Sequence, residues 1–418
     1  MKEKQIIIAH FGKQHSYRLA EAVKRMAWLQ KYITTVYLKT WNWTGLAKRF
    51  LKGDNLTRVK TRRCLVLSDH EINQFCEFAG LINLLLLRID KSQKIYTKWA
   101  RFTVERFAKK VAHYAIRNNP DAIVMYDTNA EICFDILEKK APHIKRILDV
   151  SSATHTYMKM IYEEDMKRCP DFAKSLRKSA DYFWDEKTLR KYEKEIQLTH
   201  HFLAPSKFVQ KSLEYHGVSS EKISLCPYGV NTSKFVDKHF RELQGRLRCV
   251  YIGALTQRKG ISYLLEAFTK YNKEEVSLTL VGKYDNSDGL FDKYLDKYNF
   301  TGFVTNDKVV EICDNSDIMV FPSLSDSYSL AVLEALGSGL PVICTENTGA
   351  SDVIKDEYNG FVVPIADIES IQEKVDWFLN HKEELPRMRE NARNTALQYT
   401  WEAYNERIVQ IINNILEE

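Results

Sequence analysis

Short β-branched and apolar runs alternate with helix-length amphipathic segments along this 418-residue chain. That alternation restricts the fold more than any other feature, because parallel strands need a long crossover between them and a helix is the usual one. In the first half, strands are expected at Gln5 to Phe11, Ile33 to Leu38, Ala122 to Tyr126, Arg146 to Val150 and His201 to Pro205. In the second half they are expected at Arg248 to Gly253, Val276 to Gly282, Thr301 to Val304, Asp317 to Ser323, Pro341 to Thr345 and Gly360 to Pro364. A long, highly charged helical spacer is expected from Met158 to Leu198. Pro227 and Gly229 break any regular element in the stretch that follows, so a connection and a domain boundary are expected between Pro227 and Gly245. The length fits two domains. The fold class is α/β: two doubly wound sheets whose strand C-termini face a shared cleft, where ligands of such sheets bind.

Composition removes several other classes. The chain is 44% hydrophobic, enough for real cores. Its eight cysteines form no CxxC pair, which fits a reduced, cytoplasmic protein without a cysteine metal site. The longest apolar run, Leu81 to Leu87, is far below the roughly 20 residues that cross a bilayer. The net charge of +6 conceals an asymmetry, since residues 1–120 hold 24 Lys/Arg against 8 Asp/Glu. Between Lys39 and Arg63, eight basic residues and one acid are interleaved with Trp41, Trp43, Leu46, Phe50 and Leu51. Such a run suits an anionic membrane surface, each cation contributing about 1 kcal/mol near the lipid. A solvated face with its aromatics in the core is the alternative. No nucleic-acid motif accompanies the charge, so nucleic acid is not an expected partner.

The stretch from Asp317 to Gly349 carries the chemistry. It reads as a buried strand, a polar loop and a helix. A helix N-terminus offers unpaired N–H groups and partial positive charge to an anion, here from around Ser329 and Leu330. Glu334, at i+4 from Leu330, can sit beside the same ligand and accept hydrogen bonds from a sugar diol. Asp326 stands at the mouth of the loop, where capping the following helix is its alternative role.

Several spaced motifs in this half, from about Phe202 to Ile408, resemble the GT-B retaining glycosyltransferases of family 4, the glycosyl transferases group 1. DSYSLAVLEALGSGLPVI is similar to the family's EGFGLxxLEAxAxGxPVI segment, and YIGALTQRKGISYLLEAF to its VGRLxxxKGxxxLLxAF segment. The connector ending at Phe235 and the closing YTWEAYNERI also resemble the family's. The resemblance implies a first, acceptor-binding Rossmann-like domain of residues 1–228 plus a C-terminal helix at about 400–418, and a donor-binding domain of residues 229–399. It implies Lys259 and Gly260 on a phosphate-binding loop, Glu334 on the nucleotide ribose and Asp326 near the donor sugar. No metal or other cofactor is expected, since cationic side chains and a helix terminus take that part.

Each placement has a competing account. Lys259 alone would read as a solvated turn, and Glu334 as a buried carboxylate held by backbone. The chain also departs from the family pattern. Asp326 stands for a glutamate, Ser327 and Ser329 for two loop glycines, and Ala254 for an arginine whose charge Arg258 can supply from another direction. A positive φ at Ser329 would strain the backbone, whereas an ordinary φ would make its hydroxyl a phosphate donor. In the first half, Gly12 is the expected close-approach glycine of the first βα turn. His155, after a strand end, is expected to face the cleft, where family members often carry a histidine; a locally bonded loop histidine is the alternative.

The expected activity is transfer of a sugar from an NDP-sugar to the hydroxyl of a glycan or lipid-linked acceptor, with retention of configuration. The setting implied is bacterial surface polysaccharide synthesis at the inner face of the plasma membrane. Asp326, His155 and Lys259 are the expected catalytic residues. Arg258, Lys259, Gly260, Ser329, Leu330, Glu334 and Gly12 are expected to bind the donor. The altered loop favours one rival, a catalytically impaired glycosyltransferase-like subunit that binds a nucleotide sugar or a partner protein.

Overall fold

The computed structural model describes residues 4–180, 185–235 and 245–417. Its first half builds β1 (Ile6–Ala9), α1 (Ser16–Arg25), β2 (Leu29–Thr34), α2 (Trp43–Lys48), α3 (Gly53–Lys60), β3 (Ile72–Gln74), α4 (Glu77–Ile89) and α5 (Lys94–Asn118). It continues through β4 (Ala122–Tyr126), α6 (Glu131–Lys140), β5 (Lys145–Asp149), α7 (His155–Arg168), α8 (Ala173–Ala180), α9 (Glu186–Gln197), β6 (His201–Ala204), α10 (Lys207–Glu214) and β7 (Ile223–Leu225). All seven strands are parallel, in the order β3-β2-β1-β4-β5-β6-β7.

The second half builds β8 (Leu247–Ile252), α11 (Ile261–Ala267), β9 (Val276–Val281), α12 (Asp292–Leu295), β10 (Asn299–Gly302), α13 (Asn306–Asp314), β11 (Ile318–Phe321) and α14 (Leu330–Gly337). Then come β12 (Val342–Thr345), β13 (Gly360–Val363), α15 (Ile368–Asn380), α16 (Leu385–Gln398) and α17 (Trp401–Glu417). These six strands are also parallel, in the order β10-β9-β8-β11-β12-β13. The result is the GT-B arrangement of two Rossmann-like units. In each, the central strands are apolar on both faces because helices cover both sides.

Some strand boundaries differ from the expected ones, and the reason is tertiary. The strand expected at Ile33 to Leu38 is β2, which starts four residues earlier and ends at Thr34; Leu29 pairs with Ile6, so Gln30 and Lys31 enter the sheet near its edge. Val36, Tyr37 and Leu38 are buried but leave the ladder. The strand expected at Thr301 to Val304 likewise begins at Asn299. Strands β3 and β7 have three residues each, too few to leave a periodic signal. Of the connection expected between Pro227 and Gly245, residues 236–244 lie outside the described residues.

Two crossings tie the units together. Helix α17 returns from the second half, and Tyr404, Ile408, Ile412 and Ile415 pack into the first sheet's core beside Leu19, Ala22 and Val23 of α1. In the opposite sense, Tyr157, Ile161 and Tyr162 of α7, with Phe172 and Leu176 after it, join the core of the second sheet. Buried Asp165 of α7 accepts from Tyr263 Oη at 2.5 Å and from Gln257 Nε2 at 2.9 Å. Where the chain changes unit, Val230 N donates to Tyr399 O at 2.8 Å. A Cβ on Gly229 would lie 2.3 Å from Trp401 N, so only glycine allows that crossing.

Candidate functional site

The second-half loops after β8 and β11 converge on one ion pair. After β8 the chain makes a short turn at Gln257–Lys259 and enters α11 through Gly260. Gly260 has φ +68°, and a Cβ there would lie 1.8 Å from the carbonyl oxygen of Pro322. Both facts demand glycine, and the close approach sets the Lys259 turn against the end of β11. Leu324 N then donates to Arg258 O at 3.0 Å. Lys259 Nζ donates to Asp326 Oδ2 and lies 5.2 Å from the centre of the Phe321 ring. Both partners are nearly buried, with side chains 10% and 14% exposed. Burial pushes the Lys259 ammonium below the usual lysine range, the Asp326 charge opposes that shift and the Arg258 charge adds to it.

Asp326 does not cap the helix. Its Oδ1 accepts from Tyr328 N at 3.2 Å, while its backbone pairs with Asn347 and Gly349. The N-cap of α14 is Ser329, which makes no side-chain cap bond and adopts φ +58°, ψ +80°. Ser329 thus takes the strained alternative, at a cost of roughly 1–3 kcal/mol. The first turn of α14, beginning at Leu330, leaves N–H groups without intrahelical acceptors. Glu334 is exposed on α14, in contrast to the buried carboxylate weighed from sequence. Arg258 is half-buried beside Lys259 and Tyr162; burial raises the Tyr162 pKa and the Arg258 charge opposes that rise.

Ser327, read in the sequence as a lost loop glycine, lies in the seam between the units. Its Oγ accepts from Ala153 N at 3.3 Å, and its carbonyl accepts from Ser206 Oγ at 2.7 Å. Tyr162 Oη and Ser325 Oγ lie 2.6 Å apart across the same seam, and Lys207 N donates to Asp352 Oδ2 at 2.7 Å. The loop between β11 and α14 is therefore held by α7 and by the start of α10.

The first half contributes a cavity of about 490 Å³ at the ends of β1, β4 and β5. His10, Gly12, Lys13, Tyr126, Asp127 and His155 line it. Gly12 has no positive φ, and a Cβ there would meet only the His10 ring, at 3.4 Å from Cε1 and 3.7 Å from Nδ1, so the protein itself does not require glycine here. Gly12 N donates to His10 Nδ1 at 2.8 Å. His155 begins α7, with its ring 4.5 Å from that of Tyr192. Burial lowers both His10 and His155 to about 4, so both are neutral at pH 7.

Sequence reasoning missed Asp127 and the pair of His15 with Asp149. Asp127 accepts from Ser151 Oγ at 2.7 Å and from Ser152 Oγ at 2.9 Å, and burial raises its pKa. His15 Nε2 lies 2.9 Å from Asp149 Oδ2. The available signal was position, since Asp127 and Asp149 stand where the predicted strands Ala122 to Tyr126 and Arg146 to Val150 end. Among the described residues, no group of three or more His, Cys, Asp or Glu side chains is placed to hold a metal ion.

A buried cation lies beside a helix N-terminus, with an exposed glutamate one turn on and a polar cavity across the seam, an arrangement whose positive charge and N–H donors suit an anionic ligand. Residues 235–395 match the family model of the glycosyl transferases group 1. The chain carries a glycosyl transferases group 1 domain. That domain contains Lys259, Asp326 and Glu334. The amylovoran biosynthesis glycosyltransferase AmsK of Erwinia amylovora is 26% identical over 179 residues, 40% of this chain and 44% of that protein. The chain spans somewhat under half the length of the curated relatives it matches. Among solved structures, sucrose-phosphate synthase of Thermosynechococcus elongatus superposes with a TM-score of 0.65 at 16% identity, covering 99% of this chain and all of that one. HepE of Anabaena in complex with UDP superposes with a TM-score of 0.62 at 12% identity, covering 98% of this chain and all of that one. At these identities the superpositions establish the fold shared by the group 1 domain and its partner unit.

Proposed function

We propose that the protein transfers a sugar from an NDP-sugar to an acceptor hydroxyl with retention of anomeric configuration. The observation that carries this reading is the buried Lys259, held by Gly260 beside the N-terminus of α14 and satisfied by Asp326 alone among the described ion pairs. A desolvated cation held by one carboxylate is poised to exchange that partner for a diphosphate. Stabilising charge that develops on a leaving group in such a site is worth about 3–4 kcal/mol per donor. Glu334 would then accept from the ribose hydroxyls, while Arg258 and the N–H groups of Ser329 and Leu330 add donors to the diphosphate.

In the transfer, the bond from the anomeric carbon to the diphosphate oxygen breaks. The acceptor oxygen bonds to that carbon on the same face, and its proton passes to the departing diphosphate. Asp326, released from Lys259, faces the sugar, and His155 with Asp127 lines the side from which the acceptor enters. The name of the relative AmsK supports a setting in polysaccharide synthesis. A glycan or lipid-linked acceptor met on the cytoplasmic side belongs to the same proposal. Metal independence belongs to the same reading, because Lys259 and the helix terminus supply the positive charge.

The test is incubation with a panel of NDP-sugars, with membranes as acceptor source, following NDP release and the anomeric proton of the product by NMR. Release that survives EDTA, with the donor's configuration kept, is the expected result. Binding without release for every donor would overturn the reading in favour of a subunit that holds a nucleotide sugar without turnover. An inverted product would overturn retention alone.

A further inference from the structure

Helix α4 inverts the usual pattern of a surface helix. In EFAGLINLLLLRI the buried residues are Gly80 and Asn83, while Phe78, Leu85, Leu87 and Ile89 are 52–63% exposed. A helix on a soluble protein turns its leucines to the core and its polar groups outward. Beside it, the Trp43 ring of α2 lies 6.3 Å from that of Phe78, and Trp41 and Phe50 are 85% and 79% exposed. Twelve of the 21 exposed large hydrophobic side chains among the described residues fall between Trp41 and Phe102. The apolar surface is thus concentrated on one part of the first unit, where sequence reasoning had left open a solvated face with buried aromatics.

The charge of the same region identifies what covers it. Residues 39–110 hold sixteen Lys/Arg and six Asp/Glu, a larger excess than that of the whole chain. Arg49, Lys52, Arg58, Arg88, Lys91 and Lys94 are exposed around the apolar side chains. The basic face also reaches the cavity. Gly80 is packed so closely on Val36 and Thr35 that a Cβ would lie 2.8 Å from Val36 Cγ2, and Thr35 Oγ1 donates to Phe11 O, next to Gly12, at 2.6 Å. Lys13, on the cavity wall, has its pKa lowered by burial and then by the Arg62 charge, and Arg62 in turn feels the Arg88 charge of α4. The cations therefore run from the rim of the cavity onto α4.

We propose that the face formed by α2, α4 and the start of α5 docks onto an anionic lipid bilayer and holds the rim of the His10–Asp127 cavity at the membrane surface. Exposed aromatic and aliphatic side chains ringed by cations match an interface that is apolar below and anionic above. Docking stands independently of sugar transfer; the delivery of a lipid-linked acceptor to the cavity rests on the transferase reading.

Flotation of the full chain with phosphatidylcholine vesicles, with and without phosphatidylglycerol, tests the docking in the absence of donor and acceptor. The expected result is binding to the anionic vesicles at least about tenfold above that to neutral ones, weakened by salt. Leu85→Glu with Ile89→Glu should reduce that binding at least about tenfold without lowering Tm, because both side chains are exposed. Leu397→Glu, at an exposed leucine in the second half, should leave it unchanged. Equal partition to both vesicle types, or none to either, would overturn the proposal. A dimer in ultracentrifugation that the Leu85/Ile89 double variant dissolves would also overturn it, by assigning the face to a second copy of the chain. Failure of transfer with docking intact would refute the acceptor reading alone.

Discussion

The two halves of the cleft are built to opposite specifications. The second-unit side consists of short loops whose positions are overdetermined: Gly260 has no room for a side chain, Lys259 is buried on Asp326, and Ser327 is bonded from the other unit. The first-unit side is a wide cavity with a glycine that sterics do not require, next to helices that leave many apolar residues outside. Under the proposed function, a small and constant diphosphate would suit the rigid cradle. A larger acceptor arriving from a surface would suit the open walls and the exposed apolar face.

The sharpest way to break this comparison is to put the same substitution on both sides. Gly260→Ala should cost several kcal/mol, on the order of 3–5, or prevent folding, because it adds a backbone collision to a positive φ. Gly12→Ala should leave urea-unfolding stability within about 0.5 kcal/mol, since the new methyl meets only the His10 ring at van der Waals distance. Equal losses at the two positions would dissolve the distinction.

Lys259→Ala should reduce NDP release about 10²–10³-fold in steady-state assays, the usual loss when a preorganised donor to a developing charge is removed. It should also lower stability, because Asp326 is left nearly buried without its cation. A loss of stability with full turnover would limit Lys259 to a structural role.

The wall of the first-unit cavity should reveal itself in pH. The native pKa of His10 and His155 is about 4, below the ordinary 6.5 of the unfolded chain. Between those values the unfolded state binds more protons, so stability is full above pH 6.5 and falls as the pH drops toward 4. Each histidine accounts for up to about 3 kcal/mol of that loss. Chemical denaturation across the window should show a shallower slope in His155→Gln than in the parent.

A small effect is expected at Ser329. Replacing it with glycine relieves a φ of +58° and loosens the unfolded chain, for a net gain of about 1 kcal/mol or less, read as a small rise in Tm. A loss there would mean that the hydroxyl holds something the strain was built to position.

Much of the fold was legible because the signals were local. The runs at Ala122 to Tyr126, Asp317 to Ser323 and Pro341 to Thr345 are apolar on both faces, and only a covered parallel strand accommodates them. The run at Ile33 to Leu38 misled because its register is dictated by β1 rather than by its own composition. In the site, Asp326 and Glu334 could be picked out because their spacing follows from a loop and a helix, and Lys259 and Gly260 through the resemblance of their segment to the family's. Asp127 and Asp149 offered only their position near strand ends, and His15 no signal, because three distant segments meet there only after the first sheet forms.

The amino-acid order alone determined the two-sheet architecture, the strand-loop-helix unit at 317–349 and the basic character of the first third, since each is a matter of periodicity or charge within a short stretch. Only the tertiary structure decided that Asp326 holds Lys259, that Ser329 is strained, that Ser327 joins the two units and that α4 leaves Leu85 and Leu87 outside. These depend on which segments distant in the chain occupy the same space, and packing between elements settles that after local preference has been spent.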